Sequence, residues 1–499
     1  MREREVKLAP APGFRLPELT GVAPGVEAGP SETIELQATY FDTADLRLVR
    51  AGASLRHRSD EGWTVKRPQP GTGGELLVRG EHHFDGPSGT PPTAALDLVL
   101  GFVRTAAVQP VSRLRTRRHR VELVDADGKP LGEVVDDEVS VLDGRRLAAR
   151  FRELEVELRD DADDDLASAV VERLRAAGAG EPDPTPKVAR ALGPRALEPP
   201  DVSASPTVKA PTVKDGDAGT AVCAALVASV ARLVAHDAGV RLGEDPEAVH
   251  QARVATRRLR SDLRTFHPLL DEEWAQALRE ELKWLGAALG AVRDADVLLE
   301  RLQAKIARLP EADREVATGL VDRLRAERDE ARAELLVVMR GQRYLELLDR
   351  LVAAARAPAL VDESEKPADT IASLARKPWK RLAGTVDELD DDPSDEALHE
   401  VRKRAKRVRY AAEAVAPVVG KPARRFAAAI EDVQDLLGEH QDAVVAAAWL
   451  RTALAAASPR ETFVIGQLVA MEQADADASR AQWPATWKAA GRKRLRKWL

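Results

Sequence analysis

Two kinds of periodicity divide the chain. In its first part, short segments alternate apolar and polar positions as a strand with one buried face does. Glu3, Glu5 and Lys7 fall on one face there, and Val6 and Leu8 fall on the other. The split recurs in Leu55-Arg56-His57-Arg58, Trp63-Thr64-Val65-Lys66 and Arg113-Leu114-Arg115-Thr116-Arg117. It recurs again where Glu153, Glu155 and Glu157 share a face opposite Leu154, Val156 and Leu158. In the second part Ala, Leu, Arg and Glu dominate, and the stretches 218–240, 274–306 and 311–340 carry a helical pattern. Between them, 196–216 is rich in Pro, Ser, Thr and Asp without hydrophobic periodicity, which is a linker composition. The predicted organisation is a mainly β unit over 1–195, a linker over 196–216 and an all-α unit over 217–499.

Length agrees with this division, because 499 residues exceed the roughly 250 to 300 at which one core stops growing. The net charge of −7, from 75 Lys+Arg against 82 Asp+Glu, predicts no polyanion partner by itself, so any such site must come from local clustering. The lone Cys223, in an apolar run, excludes an intrachain disulfide framework and reads as a small buried hydrophobe. No apolar run reaches the roughly 18 residues of a membrane span, and the polar start Met1 to Glu5 does not resemble a signal peptide. The expectation is a cytoplasmic protein with no membrane partner.

Charge segregation changes the picture of the β unit. Carboxylates cluster on two strands and bases on three others, whereas a solvated sheet face usually mixes them. Were these faces to converge, the carboxylates would hold a hard divalent cation through oxygen. The arginines and lysines would clamp phosphate oxygens.

Glu3-x-Glu5-x-Lys7 resembles the N-terminal ExExK signature of the CYTH superfamily, the triphosphate tunnel metalloenzymes. Further matches follow in order: Tyr40-Phe41-Asp42-Thr43, Leu55-Arg56-x-Arg58, the Trp63 to Lys66 strand, Arg113 to Arg117, Gly132-Glu133-Val134-Val135-Asp136, and Glu153 to Leu158. The resemblance implies an antiparallel β tunnel that binds a triphosphate with Mg²⁺ or Mn²⁺ and hydrolyses it. Carried over by position, Glu3, Glu5 and Glu155 would be catalytic carboxylates, with Glu153, Glu157 and Asp136 added as metal ligands. Lys7, Arg56, Arg58, Lys66, Arg115, Arg117 and Lys187 would bind triphosphate. The family often has Ser before the late lysine; here Pro186 precedes Lys187.

The helical part contains an internal repeat. From His250 and from His399 the pattern runs H-x2-R-x3-[RK]-R-[LV]-R, and Leu289-Gly290-x3-Asp294 matches Leu437-Gly438-x3-Asp442. The two copies, 217–357 and 368–499, keep a register of 149 residues (399 − 250) and then 148 (442 − 294). An Asp-Pro before each histidine predicts a capped helix start. Offsets 0, +3, +7 and +10 share one helix stripe: His250, Arg253, Arg257 and Arg260 in one copy, His399, Arg402, Lys406 and Arg409 in the other. Like charges so spaced repel, so a facing anion or carboxylate is expected, with Asp294, Asp296 and Asp442 as candidate carboxylates. Zinc-type histidine spacing is absent, and Tyr410 alone interleaves an aromatic with the bases, which makes nucleic acid a poor fit.

These residues resemble the CHAD domain, named for its helices and histidines. The resemblance implies two pseudo-symmetric four-helix bundles whose basic faces bind inorganic polyphosphate. The chain as a whole is then expected to be a metal-dependent triphosphatase, acting most simply on inorganic triphosphate, joined to a polyphosphate-binding domain, with polyphosphate granules as a setting. A non-catalytic polyphosphate tether and an adenylyl cyclase are the alternatives.

Overall fold

The computed structural model describes residues 2–68, 77–159, 162–202 and 217–499; the side chains of Arg2, Glu3, Leu77, Val78 and Asp164 lie outside that description. The chain divides into two compact units, residues 1–201 and 202–499. Most of the expected linker, 203–216, lies outside the described residues.

The first unit is built on strands β1 (Arg2–Pro10), β2 (Glu27–Ala28), β3 (Glu32–Asp42), β4 (Ser54–Arg58), β5 (Gly62–Pro68), β6 (Leu77–Phe84), β7 (Gln109–Val124), β8 (Pro130–Asp143), β9 (Arg146–Leu158) and β10 (Ala179–Pro182). They form an antiparallel sheet in the order β10-β1-β6-β5-β4-β3-β7-β8-β9, with β2 on β7. β1 also pairs with β9 through residues 4–8. Its other edge is divided between β6, along residues 2–5, and β10, along residues 8–10. The sheet therefore curves round on itself without closing into a tunnel along its whole length.

Short helices α1 (Arg47–Arg50), α2 (Thr93–Asp97) and α3 (Leu100–Val103) lie between the strands, and α4 (Asp164–Ala176) and α5 (Lys187–Leu192) follow β9. The apolar face of the alternating strands is the covered one. Val6, Leu8, Leu123, Val134, Leu154, Val156 and Leu158 pack with Val170 and Leu174 of α4 and with Phe14 and Leu19 of the β1–β2 loop. Burying each such side chain contributes about 1.5–3 kcal/mol. Alternation then leaves the charged positions of β1 and β9 on the concave side. α5 is pinned by Val188 and Ala189 against Tyr40, Leu114 and Val139. The Tyr40-Phe41-Asp42-Thr43 motif serves the chain path: the buried Asp42 carboxylate accepts from the backbone N–H of Thr43, Leu48 and Val49 at 2.7, 2.9 and 3.0 Å, starting α1.

The second unit contains α6 (Ala218–Leu242), α7 (Pro246–Thr265), α8 (Glu272–Ile306), α9 (Glu311–Arg340), α10 (Gln342–Arg356), α11 (Arg376–Asp387), α12 (Asp395–Val419), α13 (Lys421–Ala453) and α14 (Pro459–Ala490). The repeat places α7, α8 and α9 in register with α12, α13 and α14. Asp245 caps α7 by accepting from the Glu247 N–H, with Pro246 in the first turn. The second copy differs: Ser394 caps α12 by accepting from Ala397 N–H, so Asp392-Pro393 stays outside the helix. A hydroxyl one residue beyond the proline supplies the cap and shifts the start.

Three apolar cores hold this unit together. One joins α6, α7, α10, the first half of α8 and the ends of α9 and α12, and a second joins α11, α12, the first half of α13 and the end of α14. The third is shared by both copies, with Leu298, Leu299 and Leu302 of α8 and Leu320 and Leu324 of α9 meeting Ala446 and Leu450 of α13 and Ile465 and Leu468 of α14. α6 is long and apolar enough to cross a membrane, contrary to the expectation from run length. Its buried residues Val222, Leu226, Val230 and Leu233 belong to the first core.

Gly132 marks a close approach of β8 to β9, since a Cβ there would lie 2.4 Å from the Glu157 carbonyl oxygen. Gly132→Ala is expected to destabilise the first unit by about 1–3 kcal/mol, the usual scale of overpacking. A leftward shift of the urea unfolding midpoint of the β signal, measured by circular dichroism, checks this.

Candidate functional site

The concave side of the β unit encloses a pocket of about 250 Å³. Its carboxylates are Glu5, Glu155, Glu157, Glu133, Asp60, Glu61 and Glu81, and its cations are Lys7, Arg56, Arg58, Lys66, Arg79, Arg118, Arg120 and Lys187. Strand alternation aims Glu5 and Lys7 inward together from β1, and the register sets Lys7 opposite Glu155 and Glu5 opposite Glu157 on β9. The Lys7 ammonium lies 2.9 Å from Glu5 and 3.6 Å from Glu153 and donates to Glu155. Lys187 enters from α5, 2.9 Å from Asp137 and 3.1 Å from Glu153, and also donates to Glu155. Pro186 in place of the family's Ser does not keep it out; the proline is the residue preceding α5 and itself lines the pocket.

These neighbours shift the titrations. Burial alone would lower the Lys7 ammonium, but Glu155, Glu5 and Glu153 outweigh it and hold the group well above its ordinary value. Burial would raise Glu155, yet Lys187, Lys7 and Arg118 hold its carboxyl well below the usual range. Glu153 behaves oppositely: its burial outweighs the pull of Lys187 and Lys7, and its carboxyl is raised. Identical side chains two residues apart thus differ because one faces three cations in the pocket and the other lies deeper. Glu153 is fully buried, with neither oxygen hydrogen-bonded.

Carboxylate oxygens of Glu5, Glu155 and Glu157 all come within 4.8 Å of one another. Glu5 Oε1 is buried and makes no hydrogen bond among the described residues, with Arg79 Nη1 at 3.5 Å. An all-oxygen donor set with an unsatisfied buried oxygen suits a hard divalent cation such as Mg²⁺ or Mn²⁺ and suits soft metals poorly. Glu3 pairs through its backbone with Arg79, but its side chain lies outside the described residues.

Arg56, Arg58 and Lys66 line the opposite wall, held by Glu61 and Glu81: Arg56 Nη2 lies 3.2 Å from Glu61, Arg58 donates to Asp60 and Glu61, and Lys66 lies 3.6 Å from Glu81. On β7 the parity is the reverse of the one expected. Arg115 and Arg117 are exposed, whereas Arg118 is buried and Arg120 half-buried, and both of these line the pocket. Arg118 donates in bidentate fashion to Asp137 at 2.9 and 2.8 Å. On β8 the shift repeats: Asp136 faces away and accepts from Arg152, while Asp137 contacts Lys187. In Arg113 to Arg120 arginines occupy both parities, so the basic run alone cannot say which face is inside. The apolar Val121 and Leu123 downstream carry that signal, because they lie in the α4 core and place Arg118 and Arg120 on the other face.

In the helical unit the two basic stripes meet. Lys406 of α12 lies among Arg402 of its own helix and Arg257 and Arg253 of α7, and burial followed by these guanidinium groups pushes its ammonium down to about 7. His250 is lowered by burial and then Arg293, and His399 by burial and then Lys403 and Arg402. The Leu-Gly-x3-Asp elements act as cradles. Arg253 donates to Asp294 at 2.6 Å and reaches the Gly290 carbonyl at 3.4 Å. Arg402 lies so close over α13 that a Cβ at Gly438 would meet its Nη2 at 3.2 Å, and its guanidinium is 3.9 Å from Asp442. Asp296 faces Arg328 and Arg293 instead, away from the stripe. Arg260 also stands apart, beside Arg279 and Glu280, and Arg409 is held by Glu413 and Glu431 at 2.7 and 2.6 Å.

Comparison with known proteins agrees with both halves. The CYTH domain model matches residues 1–191 and the CHAD domain model residues 224–451. The chain is 34% identical over 497 residues to an uncharacterized protein, Rv2226, of Mycobacterium tuberculosis, covering 94% of this chain and 92% of that one. Among solved structures it is similar to PptA from Streptomyces chartreusis, with a TM-score of 0.47 and 25% identity over 55% of this chain and all of the other. The CHAD domain from the plant Ricinus communis is likewise similar, with a TM-score of 0.43 and 28% identity over 55% of this chain and 93% of that chain. With an N-terminal antiparallel sheet around a charged pocket and a duplicated helical unit after it in sequence, the chain belongs to the proteins in which a CYTH domain is followed by a CHAD domain.

Proposed function

We propose that the first unit is a divalent-metal-dependent hydrolase of triphosphates, with inorganic triphosphate as the simplest substrate, and that the second unit holds polyphosphate. The observation that carries the first half is the meeting, in one pocket, of the Glu5, Glu155 and Glu157 oxygens with Arg56, Arg58, Lys66, Arg118 and Arg120. Glu5, Glu155 and Glu157 would hold Mg²⁺ or Mn²⁺, with Glu3 on the same strand face and Glu153 behind Glu155. A bound divalent cation there supplies charge neutralisation at phosphate oxygens and a more acidic water.

The chain's own groups do the rest. Arginines on β4 and β7 spread over the phosphate oxygens, where charge is dispersed as the phosphoryl group transfers, and fix an in-line geometry. Arg118 is held in place by its fork to Asp137, and Lys7 and Lys187 stay protonated among the carboxylates, so the pocket keeps fixed positive charges across neutral pH. The pocket has few apolar walls to grip a nucleobase, Ile34, Leu36, Tyr40 and Val188 being the candidates, which favours an inorganic substrate over the cyclase alternative.

In the helical unit, Arg253, Arg257, Arg402 and Lys406 would hold polyphosphate, with His250 and His399 at the N-terminal ends of the stripes. Support comes from Lys406: a half-buried ammonium among three guanidinium groups is a place that an anion stabilises.

Phosphate release from inorganic triphosphate should require Mg²⁺ or Mn²⁺ and fall on the order of 100-fold in Glu5→Ala and Glu155→Gln, the scale on which loss of a metal's supporting groups acts. Metal-independent release, or release unchanged in both variants, sinks the hydrolase reading. Arg118→Ala should raise KM by ~10- to 100-fold, since a hydrogen bond to a charged group contributes about 1.5–3 kcal/mol, while exposed Arg117→Ala leaves KM unchanged; a malachite-green assay across substrate concentrations separates them. Polyphosphate binding should weaken as pH rises from 7 to 9, because a bound anion raises the Lys406 value above its free value of about 7, so binding takes up a proton there. A filter-binding titration reads this slope, which Lys406→Arg should flatten.

A further inference from the structure

Beside the polyphosphate stripe, the helical unit contains a second cavity of about 780 Å³ between α6, α7, α12 and α13. Its floor is Ala221, Ala224, Ala225 and Ala228 of α6, four small side chains that leave room against the helix. Small residues alone make no site, but the walls carry polar groups without partners. Tyr410 Oη, Gln434 Oε1 and Arg257 Nε are each buried and make no hydrogen bond among the described residues, and the buried Asp262 carboxylate beside them has Arg258 as its ion-pair partner at 3.1 Å. Asp262 is 1% exposed, Tyr410 7% and Gln434 8%, and all three line the cavity. Each unmet buried polar atom costs about 1–3 kcal/mol, so three around one space imply a ligand that meets them.

The repeat shows that this chemistry is not a copy of the basic stripe. At the matching positions of the other copy, Tyr410 corresponds to Ser261, Glu413 to Arg264, Gln434 to Gly286 and Asp262 to Ala411. That side gathers Arg407, Arg279, Arg260 and Arg381 around Arg264, whose charge is disfavoured by burial and then by these neighbours. The Tyr410 side instead sets acids against bases: Arg258 and Arg409 share Glu413, and Arg258 also holds Asp262. Three guanidinium groups, of Arg257, Arg258 and Arg409, lie 5.4–5.8 Å from the Tyr410 ring centre.

Asp262, Glu413, Glu431 and Asp435 are interleaved here with Arg232, Arg257, Arg258 and Arg409, a mixed lining that suits a bare polyanion poorly. A flat ring with an amino edge fits instead. It would rest on the alanine floor, donate to Gln434 Oε1 and Asp262 Oδ1, and accept from Tyr410 or Arg257. Arg257 lines this cavity and also stands in the basic cluster with Arg253, Arg402 and Lys406, so it can take a phosphate attached to that ring. We propose that this cavity binds a nucleoside phosphate, its base between α6 and Tyr410 and its phosphate on Arg257 at the edge of the basic stripe. The proposal is independent of whether the first unit hydrolyses triphosphates.

The test is calorimetric titration of the full chain with AMP, CMP, GMP and UMP, nucleotides without an anhydride bond to hydrolyse, with adenosine and inorganic diphosphate as controls. At least one nucleotide should bind more tightly than its components. Ala228→Trp, which fills the floor from an exposed position, and Gln434→Leu should each weaken it about tenfold or more, the effect of one lost buried hydrogen bond or of a blocked site. Glu5→Ala should leave the affinity unchanged, and diphosphate binding should not respond to Gln434→Leu. Binding of none of the four nucleotides overturns the proposal. So does undiminished binding in Gln434→Leu, whose near-isosteric side chain preserves the fold if Ala228→Trp does not, or binding abolished by Glu5→Ala.

Discussion

The first unit turns on a single crowded arrangement: two ammonium groups, Lys7 and Lys187, held among the buried carboxylates of Glu5, Asp137, Glu153 and Glu155. Buried carboxylates in such number would repel one another and drive water in, and buried lysines would lose their protons. Together they hold each other charged. That mutual dependence constrains the fold around them, since β1 and β9 must be adjacent to bring Lys7 to Glu155, and α5 must dock for Lys187 to arrive. The curvature of the sheet and the α4 core follow, because the same alternation that points these charges inward needs a dry surface outside.

The helical unit solves a related problem without a surplus of acid. Its two stripes bring cations of both copies together, and Asp294 and Asp442 answer Arg253 and Arg402, each one turn beyond a glycine that lets an arginine lie on the helix. The residual repulsion falls on Lys406 and Arg257, which burial and neighbouring guanidinium groups push toward losing charge. The two copies differ beside the stripe: Ser261, Arg264 and Gly286 in one stand where Tyr410, Glu413 and Gln434 stand in the other, so one flank is uniformly basic and the other mixed.

Strand and helix content was legible because hydrophobic period distinguishes them, and the N-terminal Glu5 and Lys7 were legible because Val6 and Leu8 mark the buried face. What was not legible was parity on β7 and β8. Arg113, Arg115, Arg117, Arg118 and Arg120 offer two interleaved basic faces, and Asp136-Asp137 offers an acid on each, so local pattern cannot choose. The choice is made by distant packing, through Val121, Leu123 and Val134 under α4. Lys187 posed the reverse difficulty. Its sequence context departs from the family's, yet docking of Val188 and Ala189 brings it into the pocket. In the helical unit the repeat revealed the stripes, but not that Arg260 diverges toward Arg279, since one helix face can meet different neighbours along its length.

α8 and α13 each belong to two cores, their first halves in separate bundles and their second halves in the core that both copies share. Neither copy owns that central core: Leu302 and Leu320 share it with Leu450, Ile465 and Leu468 of the other copy. A single copy would leave this surface wet. The duplication is therefore an obligate pair rather than two tandem domains, and mutation can specialise either half only within the shape its twin requires.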